Sequence, residues 1–291
     1  MSLRLFIQTI IDGISTGAIV ALVAVGLSLV FRISRFVNVA HVDLATVGAY
    51  VTLLCATSLA LPFGVAAAIG IVVVAVIGYL SYALIYRRLR HERAITLIIA
   101  SVGVAFFLRY LVTFIWGSNQ LAFDVPLLRA YRFGDFRISP YDLLIIATAL
   151  AVFLVLHLVL RYSAFGRSLR AVSDNPSLAR VAGVPTERVI AIMWFIGAGL
   201  AGVGGILLGI KAVLTPYLGW QLLLPAFAAV ILGGVGSVGG TLAGALLIGI
   251  VGEIAAVYWL PTYRIAAVFG VIVVVLLLRP QGLFGTKAVA K

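Results

Sequence analysis

Apolar residues in this chain do not alternate with polar ones on the period of two expected for a strand. They form continuous runs, most of them long enough to cross a bilayer core as helix. Six runs are clear: 61–86, 94–116, 141–160, 189–210, 241–259 and 262–278. Two more, 5–31 and 36–59, carry polar interruptions, and 221–235 is apolar but short, which fits either a tight span or a half helix. No segment shows the apolar-out, polar-in alternation of a transmembrane barrel. In lipid that leaves a helical bundle as the architecture that satisfies every backbone group. The pattern therefore predicts an all-α, polytopic transmembrane bundle, one domain over residues 1–291, with about eight to ten membrane segments including broken or half helices.

Composition narrows the class without changing it. With 64% apolar and 10% charged residues and a mean hydropathy of +1.23, the chain falls outside the range of soluble domains. The opening MSLRLFIQTIIDG has one Arg and an early Asp12, and no small-residue cleavage pattern follows a short apolar core, so it reads as a retained helix. The single cysteine, Cys55, has no partner for a disulfide or a metal cluster and is expected to pack.

The net charge of +12 acquires meaning only when the basic residues are sorted by loop. Residues 87–93 (RRLRHER), the stretch 161–188 and the tail from Arg279 to Lys291 hold twelve positive groups, all on one face if the spans alternate. The opposite face holds five, at Arg129, Arg132, Arg137, Lys211 and Arg264, with Asp124 and Asp135 among them. The first face is cytoplasmic by the positive-inside rule. The charge excess is thus a topology signal, and no nucleic-acid partner is expected. Arg32 and Arg35 leave the amino terminus open: outside if they are cytoplasmic, inside if residues 25–45 form a broken or re-entrant segment.

The loop 161–188, RYSAFGRSLRAVSDNPSLARVAGVPTER, encodes a short capped helix over 175–183. Asn175 suits the N-cap, Pro176 the first helical position, Gly183 a left-handed C-terminal cap, and Pro185 forbids continuation. Leu178, Val181 and Ala182 make an apolar stripe, and Thr186 is placed to cap the next membrane helix. So short a helix needs a support, supplied either by the base of the bundle or by a partner protein.

At this loop the chain resembles the permease subunits of bacterial branched-chain amino acid ABC importers, whose loop pattern GRxxRAxxxNxxxAxxxG reads here GRSLRAVSDNPSLARVAG. Gly166, Arg167, Arg170, Ala171, Asn175, Ala179 and Gly183 are the matching positions. The Gly-rich stretch from Pro225 to Glu253, the ending RPQGLFG from Arg279 to Gly285, and the opening half also resemble the family. The resemblance implies a multi-pass protein of the bacterial inner membrane whose loop helix couples to an ATPase. It implies as partners a second permease subunit, two ABC ATPase subunits, a periplasmic substrate-binding protein and the lipid bilayer. ATP would be used by those partners, with no cofactor bound by this chain. Two departures bear on selectivity more than on transport. The family's NFAHG is here Asn38-Val39-Ala40-His41-Val42, and Arg109 stands where the family more often has an uncharged polar residue.

Charged groups at membrane depth are functional candidates by default. Asn38, His41 and Asp43 are the candidate substrate-pathway residues, on a half helix whose amino end lines the route. The competing reading is a helix start at the cytoplasmic surface with Asn38 as its N-cap. Arg109 costs about 2.5–3.5 kcal/mol at a helix centre, which thirteen Leu, Ile, Val and Phe residues between Ile95 and Ile115 offset, and it is expected to snorkel outward. Asp12 and Glu253 are single acids in apolar spans, with Arg264 a candidate partner for one of them.

GVGSVG at 234–239 matches a dinucleotide fingerprint but lacks the strand and ribose-binding acid, and reads as a turn. The pairs Gly13/Gly17, Gly205/Gly209 and Gly240/Gly244 predict close helix packing. No P-loop, HExxH or serine-elbow pattern is present, so neither ATP hydrolysis, nor other catalysis, nor metal binding is expected of the chain itself. The alternative from another class is a self-contained secondary transporter or channel for a small polar solute.

Overall fold

The computed structural model describes residues 3–126, 128–133, 136–279 and 281–284. Asp135, Lys287 and Lys291 of the charge pattern, and Pro280 and Gly285 of the carboxyl-terminal motif, lie outside the described residues. The helices are α1 (Leu3–Ser34), α2 (Ala40–Thr57), α3 (Phe63–Ser81, continued by a π-turn at Tyr82–Tyr86), α4 (Ala94–Trp116) and α5 (Pro140–Tyr162). They continue as α6 (Ala164–Asp174), α7 (Pro176–Val181), α8 (Thr186–Lys211), α9 (Trp220–Gly233), α10 (Val238–Tyr258) and α11 (Tyr263–Leu278). Among the described residues seven helices are long and apolar enough to cross a membrane, and the shorter α9 and α11 bring the membrane segments within the expected range. The all-α expectation holds apart from one small antiparallel pair, β1 (Tyr131–Phe133) with β2 (Phe136–Ile138), in the loop before α5.

Packing explains the order of burial. In the bundle 83% of the apolar stretch of α1 is buried, against 17% of that of α5, so α1 is the central post and α5 a peripheral helix. α1 packs on α10, α8, α9 and α5. Gly13 and Gly17 pack on the α10 backbone as expected, where a Cβ on Gly249 would lie 2.4 Å from the Gly17 Cα, and Gly240 and Gly244 pack on α9. Of the pair Gly205/Gly209 only Gly205 meets a helix backbone, at Ala45, while Gly209 faces the Leu214 and Phe123 side chains.

The contacts also settle the side of the amino terminus. Gln8, near the start of α1, accepts from the Arg137 backbone N–H, while Arg32 at its end donates to Ser173 Oγ at 2.9 Å. Arg87 and Arg90 pair with Glu187, so loops 87–93 and 161–188 share one face with the end of α1. That is the basic, cytoplasmic face; the amino terminus is on the outer side. The carboxyl-terminal motif joins the same face, where Leu283 N–H and Phe284 N–H donate to the last carbonyls of α9, Leu232 and Gly233.

Two breaks shape the interior. α1 stops at Arg35, a non-glycine residue in the left-handed region (φ 56°) whose guanidinium is held by the Ser173 carbonyl. α2 then starts inside the bundle: His41 is against Gly26, eight residues before the end of α1. On the outer side, residues after α8 turn inward. Leu214 exchanges backbone hydrogen bonds with Leu121, and Gly219 N–H reaches Thr46 Oγ1 of α2 at 2.8 Å. A Cβ on Gly219 would lie 1.9 Å from the Val42 carbonyl, so only glycine admits this approach.

Candidate functional site

A column of polar and aromatic groups follows the start of α2 from the cytoplasmic face outward. At its base Glu187 takes Arg87 and Arg90 and accepts from the Tyr82 hydroxyl. Above it the π-turn directs Tyr82 and Tyr86 onto the Trp194 ring of α8, with centroids 5.8 and 4.7 Å away, and Phe36 closes on Tyr86 at 5.3 Å. Tyr86 donates its hydroxyl to Asn38 Oδ1 at 3.2 Å. The expected N-cap role of Asn38 is thereby corrected: Val39 occupies that position, no side chain caps the helix, and the Asn38 amide is spent on Tyr86. Val39 N–H instead donates to Ser101 Oγ of α4.

One turn further, His41 is buried at the crossing of α1 and α8, beside Gly26, and its Nε2 makes no hydrogen bond to the described residues. Asp43 faces the other way, toward α4, where Arg109 donates from Nε to Oδ1 at 3.0 Å and from Nη2 to Oδ2 at 3.1 Å. The two side chains are 5% and 1% exposed. The expected outward snorkelling of Arg109 is therefore wrong. A buried carboxylate within reach offers a better solvent substitute than the distant interface, and the guanidinium turns inward to it. Three rings surround the guanidinium carbon: Trp220 at 4.6 Å, Tyr217 at 5.2 Å and Phe106 at 5.5 Å.

The structure thus places His41 and Asp43 on the first turn of α2 and Asn38 just before it, and gives each a separate neighbourhood. Sequence reading missed Arg109 as partner of Asp43, and Tyr86, Trp194, Tyr217 and Trp220 as companions. One signal was available: opposite charges on two apolar spans are cheapest when paired.

A second polar group lies on the outer side, where Lys211 Nζ contacts Asp142 Oδ1 at 2.7 Å and Ser15 Oγ donates to the same oxygen. Glu253 accepts from Thr16 at 3.0 Å and pairs with Arg264 at 2.8 Å, which makes Arg264 its partner as anticipated. This pair borders an apolar cavity of about 690 Å³ between α1, α9, α10 and α11. Asp12 takes Gln8 of its own helix at 3.3 Å.

The cytoplasmic loop departs from its forecast in instructive ways. An amphipathic helix not anticipated, α6, precedes the capped one; Ser163 caps it, and Leu169 and Val172 are buried under it. Asn175 caps α7 as expected, accepting from Ser177 and Leu178 N–H, and Gly183 adopts φ 82°. Arg167 and Arg170 donate to the Tyr162 and Leu160 carbonyls that end α5, where cations oppose the helix dipole. Gly166 lies so close to Leu160 that a Cβ would meet its oxygen at 2.1 Å. Ala171 accepts the Asn175 N–H, and Ala179 anchors α7 in the core. Of the two supports open to the apolar stripe, the bundle does not supply one, since Leu178 and Val181 are 64% and 87% exposed and Ala182 is exposed too. Short helices bury what faces the bundle, and here that is Ala179. Thr186 likewise caps nothing, because Pro185 holds the N-cap position.

The model of the family described as "Branched-chain amino acid transport system / permease component" matches residues 9–278. The chain belongs to this family. The permease is 31% identical to the high-affinity branched-chain amino acid transport system permease protein LivH of Escherichia coli K12, over 98% of this chain and 97% of that one. BraD of Pseudomonas aeruginosa, a permease protein of the same description, is 30% identical over 98% of both chains. A probable LivH of Methanocaldococcus jannaschii is 30% identical over 92% of this chain and 89% of its own. Among solved structures, PsaBC from Streptococcus pneumoniae in complex with Fab superimposes with a TM-score of 0.51, covering 96% of the permease and 94% of that chain. At 14% identity this shows a shared fold and nothing finer.

Proposed function

We propose that this permease is the membrane-spanning subunit of an ATP-driven importer that carries branched-chain or related amino acids across the bacterial inner membrane. The observation that carries the coupling part is α7, a capped helix on the basic face that follows α6, itself tied to the end of α5 by Arg167 and Arg170; Ala179 anchors α7 in the core while Leu178 and Val181 are exposed. Apolar side chains presented on a stiff elbow suit a groove on a partner. The occupant proposed is an ABC ATPase, two copies serving this chain and a second permease subunit, with a periplasmic binding protein delivering substrate from the outer side. ATP is then consumed by the partners. Family membership and likeness to LivH and BraD support the amino acid cargo.

The reading is tested by purifying the permease gently from native membranes, identifying what accompanies it, and reconstituting the assembly in proteoliposomes. ATP-dependent uptake of leucine, isoleucine or valine that needs the ATPases and the binding protein is expected. Uptake by the purified chain alone down an ion gradient would replace this reading with a secondary transporter.

A further inference from the structure

The ion pair between Asp43 and Arg109 has no stabilising rationale of its own. Burying two charges costs several kcal/mol per ion, and apolar side chains of similar volume in their place are often neutral or better. A group set that is expensive and not needed for stability points to use. Its position suits use. Arg109 is seven residues before the end of α4, about 10 Å of helix rise below the outer end. One layer of side chains covers the guanidinium, the rings of Phe106, one turn back along α4, and of Tyr217 and Trp220, which are themselves 45%, 52% and 45% exposed. Two of these rings come from the inward-turning segment around Gly219, whose contact with α2 is through Val42 and Thr46 and not through the charges.

The chemistry of the pair is that of an amino acid head group in mirror image. A zwitterion presents one carboxylate and one ammonium on neighbouring carbons. A guanidinium takes the carboxylate bidentately, and an aspartate together with aromatic faces takes the ammonium. Among the described residues Arg109 Nη1 donates to no protein acceptor, so one edge of the fork is available while Nε and Nη2 hold Asp43. We propose that Asp43 and Arg109 form the recognition pair for the zwitterionic head of the transported amino acid, held closed on each other in this state and opened by exchange. The substrate carboxylate moves onto Arg109 and its ammonium onto Asp43 and the rings. Two ion pairs form as one breaks, with each charge still neutralised. A lone anion or lone cation satisfies only one partner and leaves the other buried and unpaired, which rejects it. The branched side chain has the rings to rest on.

This inference rests on the amino acid importer reading, and one experiment separates the two. Proteoliposomes containing the complete transporter and its binding protein are given labelled leucine, isoleucine and valine with internal ATP. If the unmodified transporter takes up none, the importer reading fails and the proposal with it. Given uptake, the double variant Asp43→Asn/Arg109→Gln, which leaves no buried charge, is expected to assemble yet lose uptake at least about tenfold, with ATP hydrolysed per amino acid rising in proportion. The exchanged variant Asp43→Arg/Arg109→Asp keeps an ion pair but inverts its polarity, and is expected to stay as low. Uptake within about twofold of normal in the double variant overturns the proposal. So does recovery to that level in the exchanged variant, which would make the pair a structural tie.

Discussion

Two ion pairs in this permease have the same chemistry and opposite settings. Asp43 and Arg109 join α2 to α4 in the interior at 1% and 5% exposure, with bidentate geometry and three rings around the guanidinium. Glu253 and Arg264 join the neighbouring helices α10 and α11 on the outer side, at 14% and 46% exposure, beside a cavity. Where water reaches one partner, the loss of the other is made good by solvent. Where it does not, an orphaned charge must be carried by the protein. Depth, and not the pair itself, sets its worth.

The sharpest way to break this comparison is to orphan one charge in each. Arg109→Leu leaves Asp43 buried and unpaired and is expected to cost about 3–5 kcal/mol, seen as a large fall in thermal stability of the detergent-purified protein. Arg264→Leu is expected to cost under about 1 kcal/mol, and equal losses in the two variants would end the argument from depth. Removing both buried charges, as in Asp43→Asn/Arg109→Gln, is expected to recover most of the stability lost in the single variant while uptake stays low. A double-mutant cycle with no coupling between these positions would contradict the contact itself.

Smaller effects probe the contrast between the bundle and its cytoplasmic elbow. Asn175→Ala removes two cap hydrogen bonds from α7 and is expected to cost about 1 kcal/mol, mostly as increased hydrogen exchange over residues 176–181. Val181→Asp is expected to change the stability of the isolated permease by less than about 0.5 kcal/mol, because the side chain touches little of it. The same variant should fail to retain the ATPases on co-purification. Normal retention with normal coupled uptake would show that α7 is not the docking element.

Much of this was legible along the chain. Residues 94–116 and 140–162 needed nothing but hydropathy, since a run of that length in lipid has no other solution than helix. Asn175, Pro176 and Gly183 fixed α7 through backbone requirements that act within a few residues. Loop charge fixed the cytoplasmic face. Where reading failed, a distant partner had intervened. Asn38 looked like a cap until Tyr86, forty-eight positions away, took its amide. The stripe of Leu178 and Val181 left its support open between bundle and partner, because periodicity reports which residues share a face, and not which way that face is turned. The π-turn at Tyr82–Tyr86 serves contacts with Trp194, more than a hundred positions away, which hydropathy along α3 does not encode.

The amino-acid sequence by itself determined that this protein lives in the membrane, that its basic loops face one side, and that a capped helix interrupts one of them. Hydropathy, charge and backbone preference are local properties, summed along the chain. Tertiary structure alone decided that α2 begins inside the bundle, that the amino terminus is on the outer side, and that Arg109 turns in to Asp43. Those outcomes depend on which helices become neighbours. In a medium without water, a polar side chain takes its meaning from the nearest group able to receive it.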